Sequence, residues 1–179
     1  MKYTVEGIKT RLIEIDEYDS ADIIAFRNNP SLNKYLSSSS EITLDMQTNW
    51  IKKNAEQMDN VYFKITDLQN CFFGTIALYN ISNGKAEFGR YICTNSILAI
   101  ESEYLLLKFG FSDLKLNLIY CKTVSENKKV SNQHKKLGFE TIGIEMNNQL
   151  KKELNVQQLT KDNFFKFDYG FIMELINHF

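Results

Sequence analysis

The sequence is short of the residues that punctuate chains and hold metals: 179 residues include one proline, two histidines and three cysteines. With only His134 and His178, no cluster is spaced for a metal, and none is expected. Cys71, Cys93 and Cys121 all fall inside predicted strands, form no CxxC pair and leave an odd total. They read as reduced, buried thiols in a cytoplasmic protein rather than as a disulfide framework. Charge of one sign is missing too. A net charge of −1 provides no basic stripe, which excludes a general nucleic-acid binder. No apolar run is long enough to span a bilayer. Glu6, Lys9 and Arg11 interrupt the apolar pattern where a signal peptide would need it.

What the chain does have is aromatic residues, thirteen Phe and nine Tyr, in an otherwise ordinary globular composition. Its length predicts a single domain over 1–179. The organising stretch is Ala86–Phe139: a strand (Ala86–Cys93), a loop (Thr94–Ala99), a helix (Ile100–Asp113), a strand (Leu118–Val124) and a helix (Lys128–Leu137). Ile100, Tyr104, Leu107, Phe111 and Leu114 recur at helical spacing, and Leu106, Phe109 and Gly110 widen that stripe. Only Glu101 and Lys108 mark a polar sector, so this helix belongs in the middle of an α/β domain.

Before it, Lys9–Ile15 reads as a first strand, and Asp16 or Ser20 caps a short helix through Ile23 and Phe26. Asn28-Asn29-Pro30 ends that helix. Ser37–Ser40 reads as a loop, and Thr43 caps a second helix carrying Met46 and Trp50. Val61–Thr66 and Cys71–Tyr79 form a hairpin, with a bulge expected at Gly74. Asn83-Gly84 is a two-residue turn leading into Ala86–Cys93. The helix that follows crosses to Leu118–Val124, which predicts a parallel pair. After a strand over Phe139–Met146, the polar Asn147–Asp162 reads as a long connection, partly helical, and Phe167–Leu175 as a last strand.

This order of elements resembles the GNAT acyl-CoA N-acetyltransferase superfamily. The resemblance rests on Glu87-Phe88-Gly89-Arg90-Tyr91, on Leu105 through Phe111, and on Asn127, Val130, His134, Lys136, Gly138 and Phe139, read against N-x-x-A/V-x-x-x-Y/H-x-K-x-G-F. Phe26-Arg27-Asn28 with Pro30 is similar to the W-R-N-x-P element of one branch. That branch holds the Rim-type protein acetyltransferases and the N-acetyltransferases of nucleotide-linked amino-deoxysugars, such as those of the pseudaminic acid pathway. The fold implied is α/β (α+β), a mixed, mostly antiparallel sheet of about seven strands flanked by about four helices.

The resemblance also implies a site. Acetyl-CoA would be the co-substrate, its pantetheine arm held where the sheet splays near Ile92, Cys93 and Thr94, opposite Cys121–Val124. A backbone N–H near Tyr91–Cys93 would face the developing oxyanion. Asn127 and Val130 would complete the arm's contacts, although Asn127 equally suits a helix cap. Ile97, Leu98 and Ala99 align with the diphosphate loop R/Q-x-x-G-x-G/A, here Thr94-Asn95-Ser96-Ile97-Leu98-Ala99, where only the last residue matches. Glycine would let the backbone approach a diphosphate, whereas Ile97 disfavours positive φ. Glu101 and Glu103 would repel an anion lying over the first turn, though a glutamate at the Glu101 position is common in this branch.

His134 occupies the position of the family's acid, able to protonate the departing thiolate; a core histidine would look the same. Glu87 is either the base for the attacking ammonium or a solvated residue on a strand. Arg27 is a surface charge or a clamp for a nucleotide phosphate, with Asn28 beside it. Tyr62, Phe63, Phe72 and Tyr79 offer an aromatic wall for a deoxysugar. Lys128 and Lys129 either are solvated or steer the cofactor. The implied acceptor is a small-molecule amine, a nucleotide-linked sugar first, with no nucleic acid or membrane partner and a homodimer left open. The rivals are a protein N-terminal acetyltransferase and a non-catalytic member that binds acyl-CoA or a partner.

Overall fold

The computed structural model describes residues 2–35, 41–148 and 150–178. The predicted Ser37–Ser40 loop lies outside them. Eight strands form one sheet in the order β1-β2-β3-β4-β5-β6-β8-β7. Their ranges are β1 Thr4–Glu6, β2 Thr10–Glu14, β3 Val61–Asp67, β4 Phe72–Ser82, β5 Lys85–Cys93, β6 Leu118–Val124, β7 Glu140–Asn147 and β8 Lys152–Thr160. Every pair is antiparallel except β5–β6, where Lys85–Phe88 run beside Leu118–Cys121.

The parallel pair needs a crossover, and α4 (Ser96–Ser112) supplies it. On its face of the sheet, Leu106, Leu107 and Phe111 pack on Phe63, Ile65, Ile76, Leu78 and Ile119, all fully buried. The opposite face carries α1 (Ser20–Arg27) and α3 (Leu44–Ala55), whose Ile23 and Ile51 close on Tyr62 and Ala77. The remaining helical segments are α2 (Pro30–Asn33), α5 (Lys128–Lys136), α6 (Lys161–Lys166) and α7 (Gly170–His178). Asn83 (φ 50°) and Gly84 (φ 71°) form the turn between β4 and β5, with Ser82 facing Lys85. Gly74 adopts φ 154° and lies against β5 so closely that a Cβ would stand 1.9 Å from the Ile92 carbonyl oxygen.

Four expectations are corrected. The expected connection Asn147–Asp162 contains β8, which inserts between β6 and β7. Its aliphatic anchors are only Leu154, Val156 and Leu159, because its fourth inward residue, Gln157, is polar and satisfied by neighbours. The expected last strand Phe167–Leu175 is replaced by α7: Ile172 and Ile176, four apart, are the buried pair, and this spacing overrides the alternation of Phe167 and Tyr169. Glu101 is buried rather than polar surface, because its carboxylate accepts from the backbone N–H groups of Ile8 and Lys9. Among the thiols only Cys121 is buried; Cys93 is half-buried and Cys71 exposed before β4, and all three are free. No helix among the described residues is long and apolar enough to cross a membrane.

Candidate active site

β5 and β6 stay paired only as far as Phe88 and Cys121. Beyond that point Gly89–Cys93 pair with β4 alone and Lys122–Val124 with β8 alone, so a wedge opens between two strands of one sheet. It runs into a cavity of about 860 Å³. Backbone groups unpaired across the wedge suit an amide-bearing arm, which can add its own hydrogen bonds there.

At one end of the wedge α4 begins four residues earlier than expected, so Ile97, Leu98 and Ala99 are its first turn rather than a loop. None of them has positive φ, which removes the steric objection to Ile97. Asn95 caps the helix, and its Oδ1 accepts from Ile97 N (2.9 Å) and Leu98 N (3.1 Å). Those are the donors a diphosphate would seek, so Asn95 must yield them for one to bind. Ser96, Ala99, Asn127, Lys129 and Val130 line the cavity here. Asn127 caps α5 through a long contact to Val130 N at 3.5 Å. The residues present fit a pantetheine diphosphate.

Glu87 faces the cavity from β5. Its two carboxylate oxygens accept from Tyr79 Oη (3.0 Å) and Asn80 Nδ2 (3.1 Å). Burial and the neighbouring Glu87 charge hold the Tyr79 phenol above its ordinary range. The Tyr79 hydroxyl therefore stays a donor and fixes the carboxylate in place.

His134 reaches the same cavity from α5 but is almost wholly enclosed. Its hydrogen-bond sense follows from its neighbours. Gln157 Nε2 donates to the Ser131 carbonyl (3.2 Å), leaving Gln157 Oε1 to accept from His134 Nδ1 (3.3 Å). Cys121 Sγ lies at the same distance from Nδ1. Nδ1 thus carries a proton, and Nε2 faces Glu103 Oε1 at 3.5 Å. Gln133 Nε2 donates to Glu103 Oε2 (2.7 Å) and to Tyr91 Oη (2.8 Å). Burial pushes Glu103 up to about 8 and His134 down to about 4, so both favour their neutral forms. One proton then lies between Glu103 and His134, and it satisfies two buried atoms that otherwise have no partner.

Of the expected site residues, Arg27, Tyr79, Glu87, Ile92, Cys93, Thr94, Ala99, Asn127, Val130 and His134 line this one cavity. Ile97 and Leu98 are not among its lining residues, and their backbone N–H groups donate to Asn95. Asn28 stands behind it, spending its amide on both backbone groups of Ile42. Tyr62 is buried beneath Trp50, and Phe72 packs edge-on against Phe26. Phe63 lies on the other face of the sheet, in the α4 core. The residues not anticipated are Arg90, Trp50 and the Glu103–Gln133–Gln157 set. An arginine in the middle of a strand and a glutamate on an apolar helix were the available signals.

Comparison with known proteins places these features. A profile described as the acetyltransferase (GNAT) domain matches residues 9–140. A search by sequence matches no curated protein. Among solved structures, the chain is similar to apo FdhC, described as a nucleotide-linked sugar GNAT, with a TM-score of 0.80, 23% identity and 98% of each chain covered. It is also similar to spermidine N-acetyltransferase from Vibrio cholerae in complex with CoA and spermine (TM-score 0.81, 19% identity, 89% of this chain and 99% of that one). A GNAT-family acetyltransferase from Bacillus anthracis gives 0.77 at 16% identity, over 89% of this chain and 99% of that one. At these identities the structural likeness speaks for the fold.

Proposed function

Because the chain belongs to the acetyltransferase (GNAT) family, whose enzymes use acetyl-CoA, we propose that its acceptor is the primary amine of a nucleotide-linked amino-deoxysugar. The observation that carries this is the sign of the cavity wall. Arg27, Arg90, Lys122 and Lys129 line it, Lys122 paired with Glu145 at 2.7 Å, and Glu87 is the single carboxylate among the lining residues. A sugar nucleotide offers its diphosphate to such a wall and its amine to Glu87. A polyamine would bring several positive charges to the same surface, and a protein N-terminus would be better served by an acidic groove. The likeness to a nucleotide-linked sugar enzyme supports the same choice.

Bound acetyl-CoA supplies the thioester carbonyl. Glu87 takes one proton from the acceptor's ammonium, directly or through one water; the freed amine bonds to the acetyl carbon, and as the carbon–sulfur bond breaks the nitrogen gives up its second proton to solvent. His134 returns a proton to the sulfur and is resupplied from Glu103 across the Nε2 contact. The backbone of Ile92–Thr94, with Asn127 and Val130, positions the pantetheine arm. Ile97, Leu98 and Ala99 receive the diphosphate. Arg27 and Tyr79 meet the acceptor, with Asn28, Tyr62 and Phe72 setting the wall behind them.

Acetyl-CoA at a hundred times its dissociation constant stabilises the native state by about 2.7 kcal/mol, a melting rise of roughly 5–10 °C for a domain of this size. Release of CoA thiol on adding a nucleotide-linked amino sugar then tests the acceptor. No melting shift at millimolar acetyl-CoA would favour a non-catalytic protein instead.

A further inference from the structure

Arg90 is placed with more constraint than the fold requires. Its φ is 50°, a left-handed conformation that L residues avoid, in the middle of β5. Ala77 faces Gly89 and Thr75 faces Ile92, so three steps along β5 answer two along β4. This is a bulge, a device that re-aims a side chain. Thr75 Oγ1 donates to the displaced Arg90 carbonyl at 3.0 Å.

The side chain is braced as well. Its guanidinium sits 4.7 Å from the Trp50 ring centre and 4.6 Å from that of Tyr79. Arg90 Nη1 donates to Asn54 Oδ1 at 3.0 Å. Asn54 is fixed in that sense because its Nδ2 donates to Asn60 Oδ1. Yet no carboxylate among the described residues pairs with the group, and the Asp59 charge acts on it only from a distance. Among the described residues neither Arg90 nor Arg27 forms an ion pair, and Arg27 Nε is buried without a partner. Burial disfavours the Arg90 charge, and the nearby Arg27 charge adds to that. Two unneutralised guanidiniums lining one cavity form a site for an anion.

We infer that Arg90 determines acceptor specificity: together with Arg27 it grips the diphosphate of a nucleoside-diphosphate sugar. The inference rests on the proposed function and sharpens it, because Tyr79 acts as a ruler. The Tyr79 ring lies against the Arg90 guanidinium, and its hydroxyl donates to Glu87. An acceptor spanning that residue carries phosphate and amine on opposite sides of one sugar ring. Free amino sugars and polyamines lack the anion that fills the Arg90 end.

The test is binding of uridine diphosphate, titrated calorimetrically in the presence of CoA into wild type, Arg90→Gln and Arg90→Gly. Wild type binds, with affinity that falls as salt rises, and both variants bind at least tenfold more weakly. Glycine accepts φ 50° without strain, so Arg90→Gly melts within a few degrees of wild type. The inference is overturned if wild type does not bind uridine diphosphate, or if either folded variant binds it as wild type does. Because this readout needs no acetyl transfer, an enzyme inactive on every amine would defeat the proposed function and leave the Arg90 result to be judged separately.

Discussion

Two glutamates sit within reach of the parted strands, and their surroundings are opposite. Glu87 is half-exposed, held by a phenol and an amide, and shares its cavity with two arginines. Glu103 is fully enclosed, with Gln133 and His134 against its carboxyl. The first environment offers hydrogen-bond donors to a carboxylate, and the second stabilises a neutral acid that keeps its proton near neutral pH. On the proposed mechanism one carboxyl receives a proton while the other supplies one, and exchange with solvent resets both between turnovers.

Removing the chargeable centre should have the largest effect. Glu87→Gln keeps the contacts to Tyr79 and Asn80 in part but cannot accept a proton. Turnover is expected to fall about 10²–10⁴-fold with an unchanged melting temperature. A full-rate Glu87→Gln enzyme would place the base elsewhere. His134→Ala tests the dry centre, with turnover expected to drop about 10²–10³-fold while acetyl-CoA affinity is kept. If turnover survives that change under conditions where chemistry limits the rate, His134 is a core residue only.

The residues around the candidate site were legible in the sequence where chemistry and local pattern coincide. Glu87, His134 and Asn127 stand in motif positions, and the β5–α4–β6 crossover follows from apolar periodicity between two strand patterns. The illegible parts depend on distant partners. Glu101 is satisfied by the backbone of Ile8 and Lys9 more than ninety positions away, so nothing local marks it as buried. β8 looks like a polar connection because Gln157 spends its amide on His134 and Ser131. α7 contains two competing periods, and packing against α4 selects the helical one. The α4 start was misplaced because Asn95, read as a loop residue, is the helix cap.

Smaller effects sharpen the contrast between the two centres. Arg27→Lys loses the planar fork and should raise the Michaelis constant for a nucleotide-linked sugar about tenfold with little change in turnover. Glu103→Gln should show a pH-dependent gain in stability. The Glu103 pKa is raised in the folded state from 4.5 to about 8, so the stability it contributes is present below pH 4.5 and lost as pH climbs through 8. The glutamine variant is therefore expected to unfold at higher denaturant than wild type at pH 8.5, and to lose that advantage near pH 5. The same advantage at both pH values would mean that Glu103 is not a neutral acid.

The measurement that bears most directly on the whole account is a competition. A nucleotide-linked amino sugar, the same amino sugar without its nucleotide, and spermidine are mixed at equal concentration with enzyme and limiting acetyl-CoA, and the acetylated products are separated by mass. The cationic wall and the Glu87 base predict that the nucleotide-linked sugar takes nearly all of the acetyl groups. Acetylspermidine as the main product, or equal acetylation of the two sugars, would contradict it.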